Sequence, residues 1–346
     1  MLMSGYQGGF VPHLIPEVTE RLAWRSPPVM QAPLASQAAL QSILEEFGKG
    51  YRTFAGLEGV LYSCNQDPMV ATPSGFNDKK GIAVWPRSGR ISLDAARFMS
   101  LQSAVRPDWL EVLCDSDTPA GRVQEAAEEV TGPLHRTAGP VLCPRTALFG
   151  ALVGGHVLDD RLRSARHAAD KPLDGYVLEG LANGPESLLL PSVDSIAQLV
   201  RGTLRAGLDC FDSTYPSLAS DRGAALVFPL VPRTAASSEA SAADATKVTS
   251  PEAVYEMSLD DKRFEEDDAP LLAGCECYTC THHCRAYIHH LINVKELLAP
   301  VLLSLHNLHH WSSFFSAIRA ALQNGTLAEL AECYERLEAA PGGTNS

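Results

Sequence analysis

Four thiols and seven of the chain's eleven histidines fall between Cys275 and His310, in the run CECYTCTHHCRAYIHHL followed by LLSLHNLHHW. A cluster of soft ligands this dense ties distant parts of a chain to one point. Zinc favours tetrahedral shells of thiolate and imidazole. Cys277-x-x-Cys280 makes the tight turn that lets two sulfurs face one ion, and Cys275 is near enough to add a third. The fourth ligand is a histidine or Cys284. His282, His283 and Cys284 would have to close a very short loop, whereas His306 lies beyond a helix that can fold back, so His306 is the expected ligand. Three cysteines and a histidine leave no open position for water, which makes the expected zinc structural, one per chain. The bland alternative is a set of reduced cysteines beside surface histidines on an amphipathic helix, and the spacing argues against it.

The rest of the chain is that of an ordinary globular protein: 346 residues, 45% hydrophobic and 20% charged, enough for one large domain and an appendage. No apolar run is long enough to span a bilayer. The start, MLMSGYQGGFVPHLIPEV, has neither the charged opening nor the apolar middle of a secretory signal. An intracellular setting is therefore expected, with nine cysteines acting as thiols or ligands. A formal net charge of −13 is a poor footprint for a protein that grips a polyanion alone. If nucleic acid is bound, another subunit should supply most of the contacts.

From about Glu58 onward, short apolar runs alternate with amphipathic ones: GVLYS, GIAVWP, the helical LDAARFMSLQSAV, DWLEVLCD, TALFGALVGG, the polar helix LDDRLRSARHAAD, DGYVLEG, SLLLPSV, the helix IAQLVRGTLRAG and LDCFDS. Strand followed by helix argues for an α/β fold with a parallel sheet, and the number of units points to a (β/α)8 TIM-barrel-like domain over 1–232. Composition breaks at Arg233, where RTAASSEASAADATKVTSPEA lacks an apolar period. An acidic, Ser/Ala-rich flexible insertion is expected over 233–265, with order returning near Tyr255. A zinc-binding helical subdomain over 266–340 should complete the barrel, with helices near Ala286–Leu298, Pro300–Gln323 and Leu327–Leu337.

The run from Cys275 to Leu322 resembles the C-terminal zinc segment of the tRNA-guanine transglycosylases, enzymes that exchange a guanine base in tRNA for queuine or its precursors. The family's ligands match Cys275, Cys277, Cys280 and His306 in spacing and order. The likeness extends across most of the chain. GLDCFDSTYP resembles the family's nucleophile strand, ALFGALVGG a pocket-lining strand, and YVLEGLANG the Gly-Gly-Leu-Ala segment. The PHL near the start, RLRSAR, DRGAAL, RAYIHHL and FFSAIRAAL are most similar to the family's accessory members. Two departures suggest an incomplete barrel: the short Gly180–Ser187 connection, where a parallel crossover needs a dozen or more residues, and a late start that leaves out an N-terminal strand.

Family catalysis needs an aspartate that attacks the ribose carbon and a second acid that handles protons. Asp212 matches the nucleophile position. At the second, Arg87 stands where the acid should be, and a guanidinium cannot accept that proton. Val153 replaces an amide that hydrogen-bonds the purine, Asp117 replaces a cysteine, and Glu179 replaces the first glycine of the base platform. Asp115 and Gly180 keep their places and are the candidate substrate-binding residues. No catalytic residue is expected. Asp212 could equally cap the loop after its strand, Asp115 and Asp117 could be turn formers, and Arg87 and Arg90 solvated charges.

The resemblance thus implies a non-catalytic accessory subunit that forms a heterodimer with a catalytic paralogue. That complex would exchange guanine for queuine at wobble position 34 of tRNAs with GUN anticodons. Zinc would brace the interface, tRNA would be met mainly through the complex, and a homodimer is a further assembly. Two other readings compete: an active transglycosylase using Asp212 with Asp115 as substitute base, and a zinc-braced interaction scaffold. The family likeness suggests a cytoplasmic pool with peripheral contact at the mitochondrial outer membrane.

Overall fold

The computed structural model describes residues 2–4, 29–66, 73, 75–77, 81–86, 88–114, 145–154, 158–179, 209–230 and 255–338. The chain divides into two compact units, the first built mainly on 24–189 with the N-terminal strand and the second on 190–346. In the first, chain order runs β1 (Leu2–Ser4), β2 (Val29–Pro33), α1 (Leu34–Ala39), α2 (Gln41–Phe47), α3 (Tyr51–Ala55), β3 (Val60–Cys64), β4 (Ile82–Val84) and β5 (Ile91–Leu93). It continues with α4 (Ala95–Val105), β6 (Trp109–Glu111), β7 (Ala147–Leu152), α5 (Leu158–Ala169) and β8 (Gly175–Leu178).

Six of these strands form one sheet in the order β1-β2-β3-β6-β7-β8, every neighbouring pair parallel. The order never reverses, so the sheet is a wall that advances in one direction with the chain. Its two faces differ. Register places Ala32, Ser63, Leu110 and Leu148 on one face. There Ala32, Leu110 and Leu148 pack with Leu44, Tyr51, Phe98, Leu101 and Val105 from the helices into the main core. Helix α4 shows how the sequence builds this layer. Asp94 caps its start by accepting the Arg97 N–H at 2.8 Å, and Arg106 ends it in the left-handed region at φ 55°. In between, Phe98, Leu101 and Val105 recur at helical spacing and turn one stripe to the sheet.

The GIAVWP segment departs from the expected βα unit. Residues 82–84 form β4, which pairs antiparallel with β5 in a separate two-stranded ribbon. Gly89 at φ 109° hydrogen-bonds back to the Pro86 carbonyl and closes the turn, and a Cβ at Gly81 would strike the Leu93 carbonyl. Strands β1 and β2 and helices α1–α3 precede Glu58, where the alternation was expected to begin. The stretch VMQAP carries Pro33, and the three helices are short, so none shows a sustained period. Both SLLLPSV and the helix IAQLVRGTLRAG lie outside the described residues.

The second unit contains α6 (Thr214–Asp221), β9 (Ala224–Leu226), β10 (Glu256–Ser258), a 3-10 turn (Lys262–Phe264), α7 (Tyr278–His282), α8 (Arg285–Asn293), α9 (Leu298–Asn324) and α10 (Leu327–Glu338). Strands β9 and β10 pair antiparallel, and residues 231–254 lie outside the described set. The three C-terminal helices stand close to the spans read from the sequence. Helix α8 stops earlier, before Lys295 at φ 57°, and α9 starts two residues ahead of Pro300, a ring tolerated in a first turn where no N–H is needed. Tyr215, Phe228, Tyr255, Trp311, Phe314, Phe315 and Tyr334 fill the core around α9.

Leu101 is fully buried in the first unit. Leu101→Ala should cost about 3 kcal/mol from lost transfer energy and the cavity left behind, read as a lower midpoint in urea unfolding.

Candidate metal centre

Cys277 caps the start of α7, its sulfur accepting the Cys280 N–H at 3.4 Å, and this turn brings both sulfurs to the same side. Thr279, buried between them, donates its hydroxyl to the Leu302 carbonyl at 2.7 Å and pins the turn to α9. One turn further along α9, His306 presents its ring to the thiols. Its Nδ1 lies 3.8 Å from the Cys275 sulfur, 3.5 Å from Cys277 and 3.3 Å from Cys280. All four ligand atoms fall within 4.8 Å of one another. A tetrahedral ion with bonds of about 2.3 Å to sulfur and about 2.05 Å to nitrogen separates those atoms by about 3.6 Å. The three sulfur-to-nitrogen distances therefore suit such an ion.

The other ring nitrogen fixes the tautomer. His306 Nε2 donates to the Leu226 carbonyl of β9 at 2.9 Å, which leaves the Nδ1 lone pair facing the sulfurs. A proton placed among these donors is held tightly. Burial alone would lower the His306 pKa, but the Cys275 and Cys280 sulfurs beside it raise it to about 9. Hydrogen bonds from Cys277 and Cys280 drive the Cys275 thiol far down, while the same exchange drives Cys277 up. A divalent cation would answer this demand for positive charge by displacing the protons. His310, stacked one turn beyond at 6.0 Å, is pushed down to about 3 by burial and by His306, so it stays neutral beside the group.

The alternatives for the fourth ligand are not part of this group. Cys284 sits at the start of α8, His282 Nδ1 lies 2.9 Å from the Tyr278 carbonyl, and His283 stacks on Tyr287. Asn307 is the neighbour that sequence reasoning missed. Its Oδ1 accepts the Leu226 N–H at 2.8 Å, and its Nδ2 donates to the Ala224 carbonyl and the Ser220 hydroxyl, both at 2.9 Å. Adjacent side chains thus hold both backbone groups of Leu226. The available signal was an amide directly following a ligand on a helix whose neighbouring residues Leu305 and Leu308 are apolar.

The remaining candidate residues part ways. Asp115 and Gly180 lie outside the described residues, as do Arg87 and Asp117. Asp212 is half-buried before α6, where Oδ1 accepts the Thr214 N–H at 3.0 Å. Burial raises its pKa, and the Thr214 hydrogen bonds oppose that. Val153 is buried, with its N–H on the Ser164 hydroxyl at 3.1 Å. Arg90 lies over the Phe76 ring at 5.4 Å. Glu179 follows β8, with its carbonyl accepting from Arg161 Nη2 at 2.8 Å.

One unit is a parallel α/β wall and the other carries a three-cysteine, one-histidine group that could hold a metal ion, which places the molecule among α/β proteins with a candidate metal centre. The model of the queuine tRNA-ribosyltransferase family matches residues 1–205 and 190–339, and the chain belongs to that family. It is similar to the queuine tRNA-ribosyltransferase accessory subunit 2 of Xenopus tropicalis, 35% identical over 372 residues that cover 94% of this chain and 89% of the relative. The Gallus gallus protein of that name is 35% identical over 369 residues, covering 93% and 87%. Its Homo sapiens counterpart is 32% identical over 378 residues, covering 95% and 90%.

Cys277→Ser, or treatment with a strong chelator, should unfold the second unit, because binding energy at such a site is folding energy. Elemental analysis of the untreated chain should show about one ion per chain; retained helicity in the chelated protein would contradict this. Asn307→Ala should remove about 3 kcal/mol by leaving the buried groups of Leu226 and Ala224 unpaired, seen as a lower melting temperature with the metal still bound.

Proposed function

We propose that this chain is the non-catalytic accessory subunit of a heterodimeric queuine tRNA-ribosyltransferase. In that complex the catalytic partner exchanges guanine for queuine at wobble position 34 of tRNAs with GUN anticodons. The observation that carries the reading is the match to relatives named as accessory subunits along more than nine-tenths of the chain. It is reinforced by side-chain chemistry. Val153 offers no polar group where the family has an amide, and the Asp212 carboxylate is engaged by the first turn of α6. Asp212 then serves as a turn former ahead of α6 in place of a nucleophile.

The ion of the Cys275, Cys277, Cys280 and His306 group is zinc in this reading, since a soft, closed, tetrahedral shell suits it and leaves no site for a reacting water. Its role is to brace the helices that meet the catalytic partner. The one-directional parallel wall supports a (β/α) barrel over 1–232, completed by the helices of 266–340 with 233–265 inserted between them. Contact with tRNA is made mainly through the complex, Asp115 and Gly180 are the residues left to meet a base, and a homodimer is a further assembly. Among the described residues no helix is long and apolar enough to cross a membrane. The cytoplasmic pool and the mitochondrial outer surface are accordingly proposed with peripheral contact only.

Purified alone, the chain should incorporate no queuine into tRNA, and its addition to the catalytic paralogue should restore turnover. Robust exchange by the isolated chain, lost in Asp212→Asn, would overturn the assignment.

A further inference from the structure

The three cysteines of the metal group are not equally sheltered. Cys277 is 4% exposed, whereas Cys275 and Cys280 are only half-buried. A shell with no position for water is thus reachable from solvent at two of its sulfurs. Cys280 is also the far member of a C-x-x-C pair. Its near member, Cys277, stands at the start of α7, and the Cys277 sulfur accepts the Cys280 N–H at 3.4 Å. Such a pair passes readily between dithiol and disulfide, because the turn already brings both sulfurs to one side. It joins one sheltered sulfur to one that a reagent can reach. Cys275 lies before the turn, and Cys284 starts the next helix outside the group.

The two states of this pair would hold the chain very differently. An ion shared by all four donors ties the turn to His306, which lies 26 residues beyond Cys280. A disulfide between Cys277 and Cys280 closes only over Tyr278 and Thr279. A tie across a long loop restricts the unfolded chain far more than one across a short loop. Oxidation therefore exchanges a long-range tie for a local one. His306 Nδ1 loses its partners, while the Thr279 hydroxyl on the Leu302 carbonyl remains. The seating of β9, which His306 holds through Nε2, is weakened with it.

We propose that Cys277 and Cys280 form a thiol–disulfide exchange site that makes the metal group responsive to small disulfides of the glutathione type. The Cys280 thiolate attacks one sulfur of the reagent, forming a mixed disulfide and expelling one reagent thiolate. Cys277, sheltered from the reagent but beside Cys280, then attacks the Cys280 sulfur and expels the second reagent thiolate. Two electrons pass from the cysteine pair to the reagent; in sum one sulfur–sulfur bond breaks and one forms. Cys275 and His306 alone do not complete a shell, so the metal passes to solvent and Cys275 takes up a proton. The folding of the second unit thereby follows the thiol–disulfide balance of its surroundings. The inference rests on the reading of this group as a metal centre and not on the accessory role.

The test treats the full chain, purified with its metal, with oxidised glutathione. A chromogenic chelator follows the metal, circular dichroism the helicity, and peptide mapping the cysteines. About one ion per chain should be released, in step with a Cys277–Cys280 disulfide and a loss of helicity. A reducing agent with fresh metal should reverse all three, and reduced glutathione at the same concentration should release nothing. Cys284→Ser and Cys210→Ser, which alter thiols outside the group, should release metal at the parent rate. Metal retained while the exposed Cys210 is modified, release with Cys280 left as the mixed disulfide, or a disulfide that joins Cys280 to Cys284 would each overturn the proposal. A chain that carries no ion before treatment would overturn the metal reading beneath it, a result distinct from the other three.

Discussion

The two ring nitrogens of His306 do different jobs, and much of the second unit depends on both being done at once. Nδ1 closes the ligand group with Cys275, Cys277 and Cys280, while Nε2 holds the Leu226 carbonyl. A ligand that is also a hydrogen-bond donor to a strand couples metal affinity to the seating of that strand. Because the ring is fully buried, it has no solvent to fall back on if either partner is lost.

From that point α9 organises its surroundings by helical period. Asn307, Trp311 and Phe315, spaced four apart, lie along one stripe. Asn307 holds β9 and the Ser220 end of α6. Trp311 donates its indole N–H to the Asp212 carbonyl at 3.2 Å, and Phe315 stacks on Phe211. The segment that carries Asp212 is thus aligned by the same helix that supplies the histidine ligand. Helix α9 thereby keeps the Asp212 segment in place, while the Asp212 carboxylate is bound to the helix it precedes.

The first unit shows a different economy. Its helix-facing side is apolar, apart from a network in which Gln37 bonds Ala32, Ser63 and Gln102, with Gln102 Oε1 left without a donor among the described residues. The opposite face carries a buried acid, a buried amide and three aromatic rings. Burial of unsatisfied acceptors is costly, which is why such groups point to ligands or protons more often than to packing.

Much of this was legible in the residues themselves. The ligand set could be read because two of its spacings are local and the third spans one helix, so geometry left His306 as the reachable partner. Helices α4, α5 and α8–α10 announced themselves by period, and the parallel pairing of β3, β6, β7 and β8 followed from the alternation. The antiparallel turn of 82–93, the short elements before Glu58, the clamp by Asn307 and the burial of Glu111 could not be read in this way. Each of these depends on which face a side chain takes and what meets it there, and strand register and helix azimuth are set by contacts far apart in sequence. Local spacing determined the chemistry of the metal group; long-range packing decided which polar groups were left buried, and against what.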